Sequence, residues 1–282
     1  TDMATILMTG ERWFRIPEII EVRLEGETKK GGYPKDVILA VLGKIRADGA
    51  VYKAIDFTGS YVDQLNVAGR MVICNMAVEM GAKTAYMQPN QAVLDYVDAR
   101  AAGPWEAETT DPGYRYEESY VFDVSSLEPQ LACPDSVENV HPLTEVTAEG
   151  PVKLDQGYIG SCTGGREEDI AAAASILRGR HIPEYTRLVV VPASREVMLS
   201  CMEKGYIQDL MEAGATITTP GCGACLGAHE GILAPGEVCI SSTNRNFPGR
   251  MGSTEARIYL ASPAAVAASI LNGRITDPRI YL

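Results

Sequence analysis

Hydrophobic and polar positions show two periodicities in the first part of the chain, one typical of strands and one typical of helices. Residues 17–24 (PEIIEVRL) alternate apolar and charged side chains, which predicts a strand, and residues 51–57 and 82–87 are further predicted strands. Apolar residues at helical spacing follow Pro34, which predicts a helix that begins there, because proline is favoured in the first turn of a helix. Residues 71–80 are apolar on nearly all sides, which predicts a buried helix. This alternation of strands and helices is typical of a layered α/β domain.

The pattern changes between residues 101 and 152, where turns rich in proline and glycine replace the periodicity. We predict an exposed linker there and divide the chain within it, into a first α/β domain at residues 1–125 and a second at residues 126–282. The predicted elements of the second domain are strands at 156–160, 187–191, 215–219 and 237–242 and helices at 168–178, 195–204 and 263–271. The predicted fold class is therefore α/β, with two layered domains.

Composition narrows the possible partners. Of 282 residues, 46% are hydrophobic and 22% charged, as in ordinary globular proteins with a core. The net charge of −12 argues against a nucleic-acid backbone or an anionic membrane as the main partner. No apolar run approaches the roughly 18 residues of a membrane helix. Seven unevenly spaced cysteines in a chain of this length favour a reducing compartment, so we expect a cytoplasmic location.

The chemistry of the second half centres on cysteines. Cys222 and Cys225 form a CxxC pair between glycines, and Cys162 lies far upstream in another glycine-rich segment. Both segments follow predicted strand ends, where doubly wound folds collect ligands, and three thiolates can grip a metal or cluster. A redox pair and half of a zinc site remain open alternatives, although structural zinc usually has four ligands. The other cysteines are expected in the core: Cys74, Cys133, Cys201 and Cys239.

Two groups of polar residues could bind an anionic ligand or act on it. Arg245 and Arg250, with Asn244 beside them, lie on a loop after a predicted strand and could clamp carboxylates through paired hydrogen bonds. A solvated surface loop is the alternative. Asn75 and Glu79 lie four residues apart on the apolar helix and so share one face. A buried carboxylate needs a partner or a task, and a structural ion pair in the core is the alternative reading.

Four segments together resemble the aconitase superfamily, most closely its large subunits of the isopropylmalate isomerase and homoaconitase type. The segments are SCTGGR (161–166), GCGACLG (221–227), TNRNFPGR (243–250) and ICNMAVE (73–79). Their order and spacing also agree, and the resemblance extends over essentially the whole chain. It implies two α/β domains of the aconitase type, the second and third of the family, with the tail of the first domain at the chain start.

The resemblance also implies a cofactor and its ligands. Cys162, Cys222 and Cys225 would hold a [4Fe-4S] cluster whose fourth iron is open and acts as a Lewis acid toward the substrate hydroxyl. Arg245 and Arg250 would bind the carboxylates of a small 2-hydroxy di- or tricarboxylic acid. The partner would be a small subunit that carries the swivelling domain.

By the same resemblance, Asn244 would hydrogen-bond near the cluster, while Asn75 and Glu79 would act on the water or hydroxyl from the other domain. The implied reaction is dehydration and rehydration that interconverts 2-isopropylmalate and 3-isopropylmalate in leucine biosynthesis. Homoaconitase or a methyl-substituted malate dehydratase is the alternative within the family. A non-catalytic iron–sulfur or zinc protein is the alternative of another class.

Two departures from the family pattern change the expectation. Gly164 stands where the family usually has asparagine, which predicts a weaker local hydrogen bond near Cys162 but keeps the ligand. The family's aspartate–histidine motif and its swivelling domain have no match, since the three histidines are His141, His181 and His229, all in the later half. We therefore expect a large subunit without its first domain, inactive on its own.

Overall fold

The computed structural model of the protein describes residues 2–282. Within them the strands are β1 (Ile19–Glu25), β2 (Ala54–Thr58), β3 (Thr84–Tyr86), β4 (Glu118–Asp123), β5 (Gln130–Ala132), β6 (Val140–Pro142), β7 (Gln156–Gly160), β8 (Arg187–Val191), β9 (Thr216–Ile217), β10 (Val238–Ser241) and β11 (Arg257–Leu260). The helices are α1 (Asp2–Thr9), α2 (Pro34–Ile45), α3 (Ser60–Gln64), α4 (Val67–Met76), α5 (Gln91–Asp98), α6 (Leu143–Ala148), α7 (Ser161–Gly164), α8 (Glu167–Leu177), α9 (Arg195–Glu203), α10 (Tyr206–Glu212) and α11 (Pro263–Leu271). None of the helices in this range is long and apolar enough to cross a bilayer.

Two sheets organise these elements, and the predicted α/β fold class is confirmed. The first sheet has four parallel strands in the order β3-β2-β1-β4. The second has seven strands in the order β6-β5-β11-β10-β7-β8-β9, in which β5 pairs antiparallel with both β6 and β11 and the other pairs are parallel. The chain leaves the first sheet at Asp123 and enters the second at Gln130.

The two sheets share a hydrophobic core. One cluster of buried side chains includes Phe57 of the first sheet, Leu39 and Met76 of α2 and α4, and Tyr158 and Val191 of the second sheet. A separate cluster fills the other face of the second sheet, beneath α8 and α11. The first cluster therefore joins α2 and α4 to side chains of both sheets.

The exposed linker predicted between residues 101 and 152 is wrong in part. Strand β4 lies within it and pairs with β1 as a parallel edge strand, from Ile20 opposite Glu118 to Glu25 opposite Asp123. An edge strand with one open face exposes alternate side chains, so its polar composition resembles that of an exposed loop. Strands β5 and β6 and helix α6 also lie in this region, and α10 and β11 were likewise not predicted.

The helix predicted at residues 71–80 differs in its bounds and its last turn. It begins earlier, where the side chain of Asn66 accepts a hydrogen bond from the backbone N–H of Gly69 and caps the first turn. Its end tightens into the 3₁₀ turn Ala77–Met80, which Gly81 closes in a left-handed conformation with φ 84°. Strand β8 and helix α11 have the predicted bounds.

Candidate active site

The second sheet has a switch point between β7 and β10. The chain continues from β7 to β8 and β9 on one side, and from β10 to β11 on the other. Such a point leaves a crevice at the carboxyl ends of parallel strands, where α/β folds bind ligands. Cys162 follows β7 and Asn244 follows β10, so the two residues flank this crevice. The loop that carries Cys222 and Cys225 follows β9 at the same edge of the sheet.

The turn that presents Cys162 is tied tightly to the neighbouring strand. The hydroxyl of Ser242 accepts a hydrogen bond from the N–H of Gly160 (3.0 Å) and donates one to the carbonyl oxygen of Gly164 (3.1 Å). A Cβ added at Gly164 would overlap the Ser242 hydroxyl and lie 2.6 Å from the carbonyl oxygen of Ser242. Gly164 is therefore packed against β10, and the turn keeps a hydrogen bond at this position through its backbone.

A hydroxyl from β7 also fixes the loop of the CxxC pair. Tyr158 donates a hydrogen bond from its hydroxyl to the carbonyl oxygen of Cys222 (2.7 Å), and the N–H of Cys225 donates to the same oxygen (3.1 Å). Gly223 has φ 51° and lies against the Tyr158 hydroxyl, so a side chain there would be strained and would collide. Cys222 is exposed and Cys225 is buried, and both are free thiols.

Four polar side chains connect α4 to both walls of the crevice. Asn244 donates from Nδ2 to Oδ1 of Asn75 (2.6 Å), and the Thr163 hydroxyl lies 3.2 Å from the same Oδ1. The Thr163 hydroxyl also contacts Oδ1 of Asn244. Asn75 Nδ2 lies 3.6 Å from the sulfur of Cys162. The helix predicted to carry Asn75 thus brings that amide directly to one of the predicted ligand cysteines.

Glu79 and Arg245 form an ion pair between the same two parts of the chain. The Nε of Arg245 lies 2.8 and 2.9 Å from the two carboxylate oxygens of Glu79. The Glu79 side chain is 8% exposed and the Arg245 side chain 37%. This pair is the alternative that the sequence left open for Glu79, and it also orients the guanidinium of Arg245.

Arg250 lies beside the cysteine loop. One terminal nitrogen of its guanidinium is 3.9 Å from the sulfur of Cys225, and the guanidinium lies over the ring of Phe247 at 5.6 Å. Its Nε is buried without a hydrogen-bond partner in residues 2–282, as is the hydroxyl of Ser161. A buried donor without a partner costs about 1–3 kcal/mol, and both groups could donate to a bound acceptor.

The three thiols do not surround a single ion. Within residues 2–282, no group of three or more His, Cys, Asp or Glu side chains is arranged to hold one metal ion. A [4Fe-4S] cluster contains four irons and spreads its thiolate ligands more widely, and its sulfurs accept hydrogen bonds. Three free thiols at one sheet edge, two of them exposed, with the unpaired donors of Arg250 and Ser161 nearby, fit such a cluster in their chemistry.

The remaining cysteines are packing residues, as predicted. Burial raises the pKa of the thiols of Cys74, Cys133 and Cys201 to about 11. Cys239 is buried in β10, and burial raises its thiol pKa further. Thiols that stay protonated at neutral pH are poor metal ligands and nucleophiles.

Two residues of the site were not predicted. Thr163 lies within the segment that resembles the family, but nothing in the sequence indicates that its hydroxyl meets the two asparagines. Lys35 is buried at the start of α2 and donates to the carbonyl of Thr243. The sequence does contain an indication for Lys35. A cation in the first turn of a helix interacts unfavourably with the helix dipole, so a lysine at this position indicates a role other than helix stability.

Comparisons of the sequence with known proteins indicate one family over nearly the whole chain. A sequence model described as "Aconitase family (aconitate hydratase)" matches residues 1–273. "Probable methanogen homoaconitase large subunit" from Methanothermobacter thermautotrophicus is 49% identical over 99% of this chain and 64% of its own length. "3-isopropylmalate dehydratase large subunit 1" from Methanopyrus kandleri is 51% identical over 100% of this chain and 67% of its own length. The chain thus spans about two thirds of these relatives.

A solved structure is also similar. It is the holo-form of aconitase X from Thermococcus kodakaraensis, with a TM-score of 0.43 and 12% sequence identity, covering 81% of this chain and 49% of that chain.

Proposed function

This chain belongs to the aconitase family, and from that premise we propose that it is the cluster-bearing large-subunit part of a hydro-lyase that interconverts 2-isopropylmalate and 3-isopropylmalate. Relatives that are 42–51% identical carry the name 3-isopropylmalate dehydratase large subunit. One observation supports the proposal most: Asn75 meets Cys162 and Asn244 at the switch point, beside the pair of Glu79 and Arg245. The reaction belongs to leucine biosynthesis.

Cys162, Cys222 and Cys225 would hold the [4Fe-4S] cluster. When bound, the cluster supplies a Lewis acid for departure of the substrate hydroxyl. The free state of the cysteines also suits a reducing compartment, and we place the protein in the cytoplasm.

The chain's own residues would bind and orient the substrate. Arg250, with an unpaired Nε, would form a paired hydrogen bond to a substrate carboxylate. Arg245 would bind a second carboxylate with its guanidinium held at a fixed angle by Glu79. Asn244 donates its amide N–H to Oδ1 of Asn75, so the remaining hydrogen-bonding groups of both side chains are oriented before substrate arrives. Glu79 would accept a proton from the water that adds in the rehydration step.

Removal of the C–H proton requires a base that these residues do not supply. His141 contacts Asn139 and Glu145, and no histidine of residues 2–282 hydrogen-bonds to a site residue. A general base typically contributes 10²–10⁴-fold to the rate. Since the relatives are named large subunits, we propose a small-subunit partner that completes the site.

Homoaconitase is the second candidate, because two relatives with that name are each 49% identical over nearly the whole chain. Both substrates are 2-hydroxy acids with at least two carboxylates, so the two arginines serve either one. A dehydratase of methyl-substituted malate fits the same carboxylate clamp. The side chain of the substrate is the difference, and the small subunit would select it.

The test is reconstitution without oxygen, followed by an assay with the small subunit co-expressed. We expect about four irons and four acid-labile sulfides per chain, no zinc, and turnover of 2-isopropylmalate in preference to homocitrate and dimethylmalate. Cys162→Ser should lose cluster and turnover, while the matched control Cys133→Ser should keep both. Zinc in place of iron would contradict the cluster, and preference for homocitrate would establish the second candidate.

A further inference from the structure

A buried lysine touches both sides of the active-site network. Lys35 is 3% exposed, in the first turn of α2. Its Nζ donates a hydrogen bond to the carbonyl oxygen of Thr243 (2.6 Å) and lies 3.1 Å from the sulfur of Met76. Thr243 directly precedes Asn244, and Met76 directly follows Asn75. Lys35 therefore contacts the neighbours of the two asparagines that meet across the crevice.

Burial of the Lys35 ammonium group at this position costs free energy. Burying an ion costs several kcal/mol even after relaxation. A positive charge in the first turn of a helix also opposes the helix dipole. Within residues 2–282, Lys35 has no carboxylate within 4.0 Å. An apolar side chain of the same length would fill the space at lower free energy, so stability does not explain a lysine here.

The acidic groups that face Lys35 are bonded to other partners. Asp36 accepts hydrogen bonds from the backbone N–H groups of Tyr33 (2.9 Å) and Gln130 (2.9 Å). Asp169 accepts one from the N–H of Arg166 at the start of α8. Glu79 is paired with Arg245. The hydrogen bond to Thr243 is thus the strongest directed contact of the ammonium.

We propose that Lys35 is a positioning residue, which fixes the loop after β10 so that Asn244 and Arg245 meet Asn75 and Glu79. The ammonium holds the Thr243 carbonyl at the base of this loop, and Met76 holds the ammonium against α4. Without it, the loop would keep its residues but lose its fixed distance to α4. The positional claim stands on the contacts alone, and only its kinetic consequence rests on the proposed function.

The first test measures loop order in the complete chain by hydrogen–deuterium exchange. Lys35→Met removes the charge and keeps the length, and Lys44→Met on the exposed face of the same helix is the matched control. We expect amides of residues 243–250 to exchange at least tenfold faster in Lys35→Met, with an unchanged or higher Tm. Lys35→Gln, which keeps a donor, should restore part of the protection. Unchanged exchange in this segment, or a loss of Tm by more than about 5 °C, would overturn the proposal.

The second test measures kinetics in the cluster-loaded complex with the small subunit, using 2-isopropylmalate as the probe. We expect the iron content of Lys35→Met to equal that of the wild type while kcat/KM falls about 10²-fold, as small misplacements of binding groups do. KM should rise, because Arg245 is displaced. Normal kinetics in Lys35→Met would refute the positioning role. If the wild type shows no turnover at all, the proposed function fails, and the exchange experiment still decides the role of Lys35.

Discussion

Arg250 buries an N–H group that has no partner within residues 2–282, although its side chain packs well. The ring of Phe247 supports the guanidinium, and the sulfur of Cys225 lies close to one terminal nitrogen. A planar guanidinium can give two parallel hydrogen bonds to a carboxylate, whereas an ammonium acts as a point charge. We propose that the unpaired Nε donates to a substrate carboxylate.

Arg250→Lys should weaken substrate binding, because it keeps the charge and removes the paired donors. We expect KM for 2-isopropylmalate in the reconstituted complex to rise about 10- to 100-fold, which corresponds to the loss of one charge-assisted hydrogen bond. Arg257→Lys, at an exposed position of β11, is the control and should leave KM unchanged. A wild-type KM for Arg250→Lys would exclude its role in the clamp.

The residue types of the site were readable from the sequence, but their partners were not. Cysteines and arginines stand out because their side chains bind metals and carboxylates and because they lie in glycine-rich loops after predicted strands. The contact between Glu79 and Arg245 and the place of Thr163 depend on how α4 docks against the second sheet, which no local pattern encodes. Lys35 shows the same limit, because its partner Thr243 is 208 residues away.

At the scale of elements, the turn after β7 leaves no room for a side chain at Gly164. The hydroxyl and carbonyl of Ser242 occupy the position where a Cβ would stand. The asparagine usual in the family cannot fit against this serine without a shift of β10. The glycine and the serine therefore form a matched pair that joins two neighbouring strand ends.

Gly164→Ala should destabilise the protein by about 1–3 kcal/mol, the usual range for overpacking a filled interior. Gly221→Ala is the matched control, because nothing lies within 4 Å of its Cβ position. That variant should stay within about 0.5 kcal/mol of the wild type. Urea unfolding gives both values, and equal stabilities for the two variants would show that the turn adapts to a side chain.

Helix α2 carries a second buried group with a measurable signature. Burial raises the pKa of Asp36 from its ordinary value of 3.8 to about 7. The folded state therefore binds this proton at a higher pH than the unfolded state does. Its contribution to stability increases as the pH falls from about 7 toward 4, and it is unfavourable above pH 7.

Asp36→Asn removes this titration, so its stability relative to the wild type should depend on pH. Between pH 8 and pH 5 the wild type should gain about 2 kcal/mol over the variant. Asp48→Asn, at an exposed position just beyond the end of α2, is the control. Urea unfolding at several pH values provides the measurement, and a constant difference between wild type and Asp36→Asn would contradict the raised pKa.

Element prediction succeeded for β8 and failed for β4 and β11. Strand β8 reads RLVVV and is buried on both faces, so its apolar run gives its bounds. Strand β4 reads ESYVFD and shows only Tyr120 and Phe122 half-buried, a weak alternation between acidic residues. Strand β11 follows the long polar loop of the arginines and is short. Their pairing partners decide these strands more than their own side chains do.

At the scale of the whole molecule, the shared core makes the two sheets one mechanical body. The charged contacts of Arg46 with Glu138 and of Arg100 with Glu196 join the two parts at the surface as well. Both halves of the candidate site are therefore attached to one continuous core. We propose that a partner chain supplies the base for the C–H proton.

The 282-residue chain alone, with cluster reconstituted, should show no turnover of 2-isopropylmalate above the assay background. Addition of the small subunit should restore it, since a missing general base accounts for 10²–10⁴-fold in rate and missing substrate contacts for more. The measurement is a spectrophotometric assay of alkene formation. Turnover by the isolated chain would show that the base lies among residues described above.

The separation of the contacting residues along the chain has a consequence for synthesis. Asn75 and Asn244 are 169 residues apart, and Lys35 and Thr243 are 208 apart. At about 5–20 residues per second, a ribosome needs roughly 10–40 s to synthesise the residues between Lys35 and Thr243. Throughout that interval the nascent ammonium is hydrated and the crevice has a single wall. The ammonium of Lys35 loses its water only in the final stage of folding, when Thr243 reaches it. A chain interrupted before β10 would therefore retain a water-filled gap beneath α4.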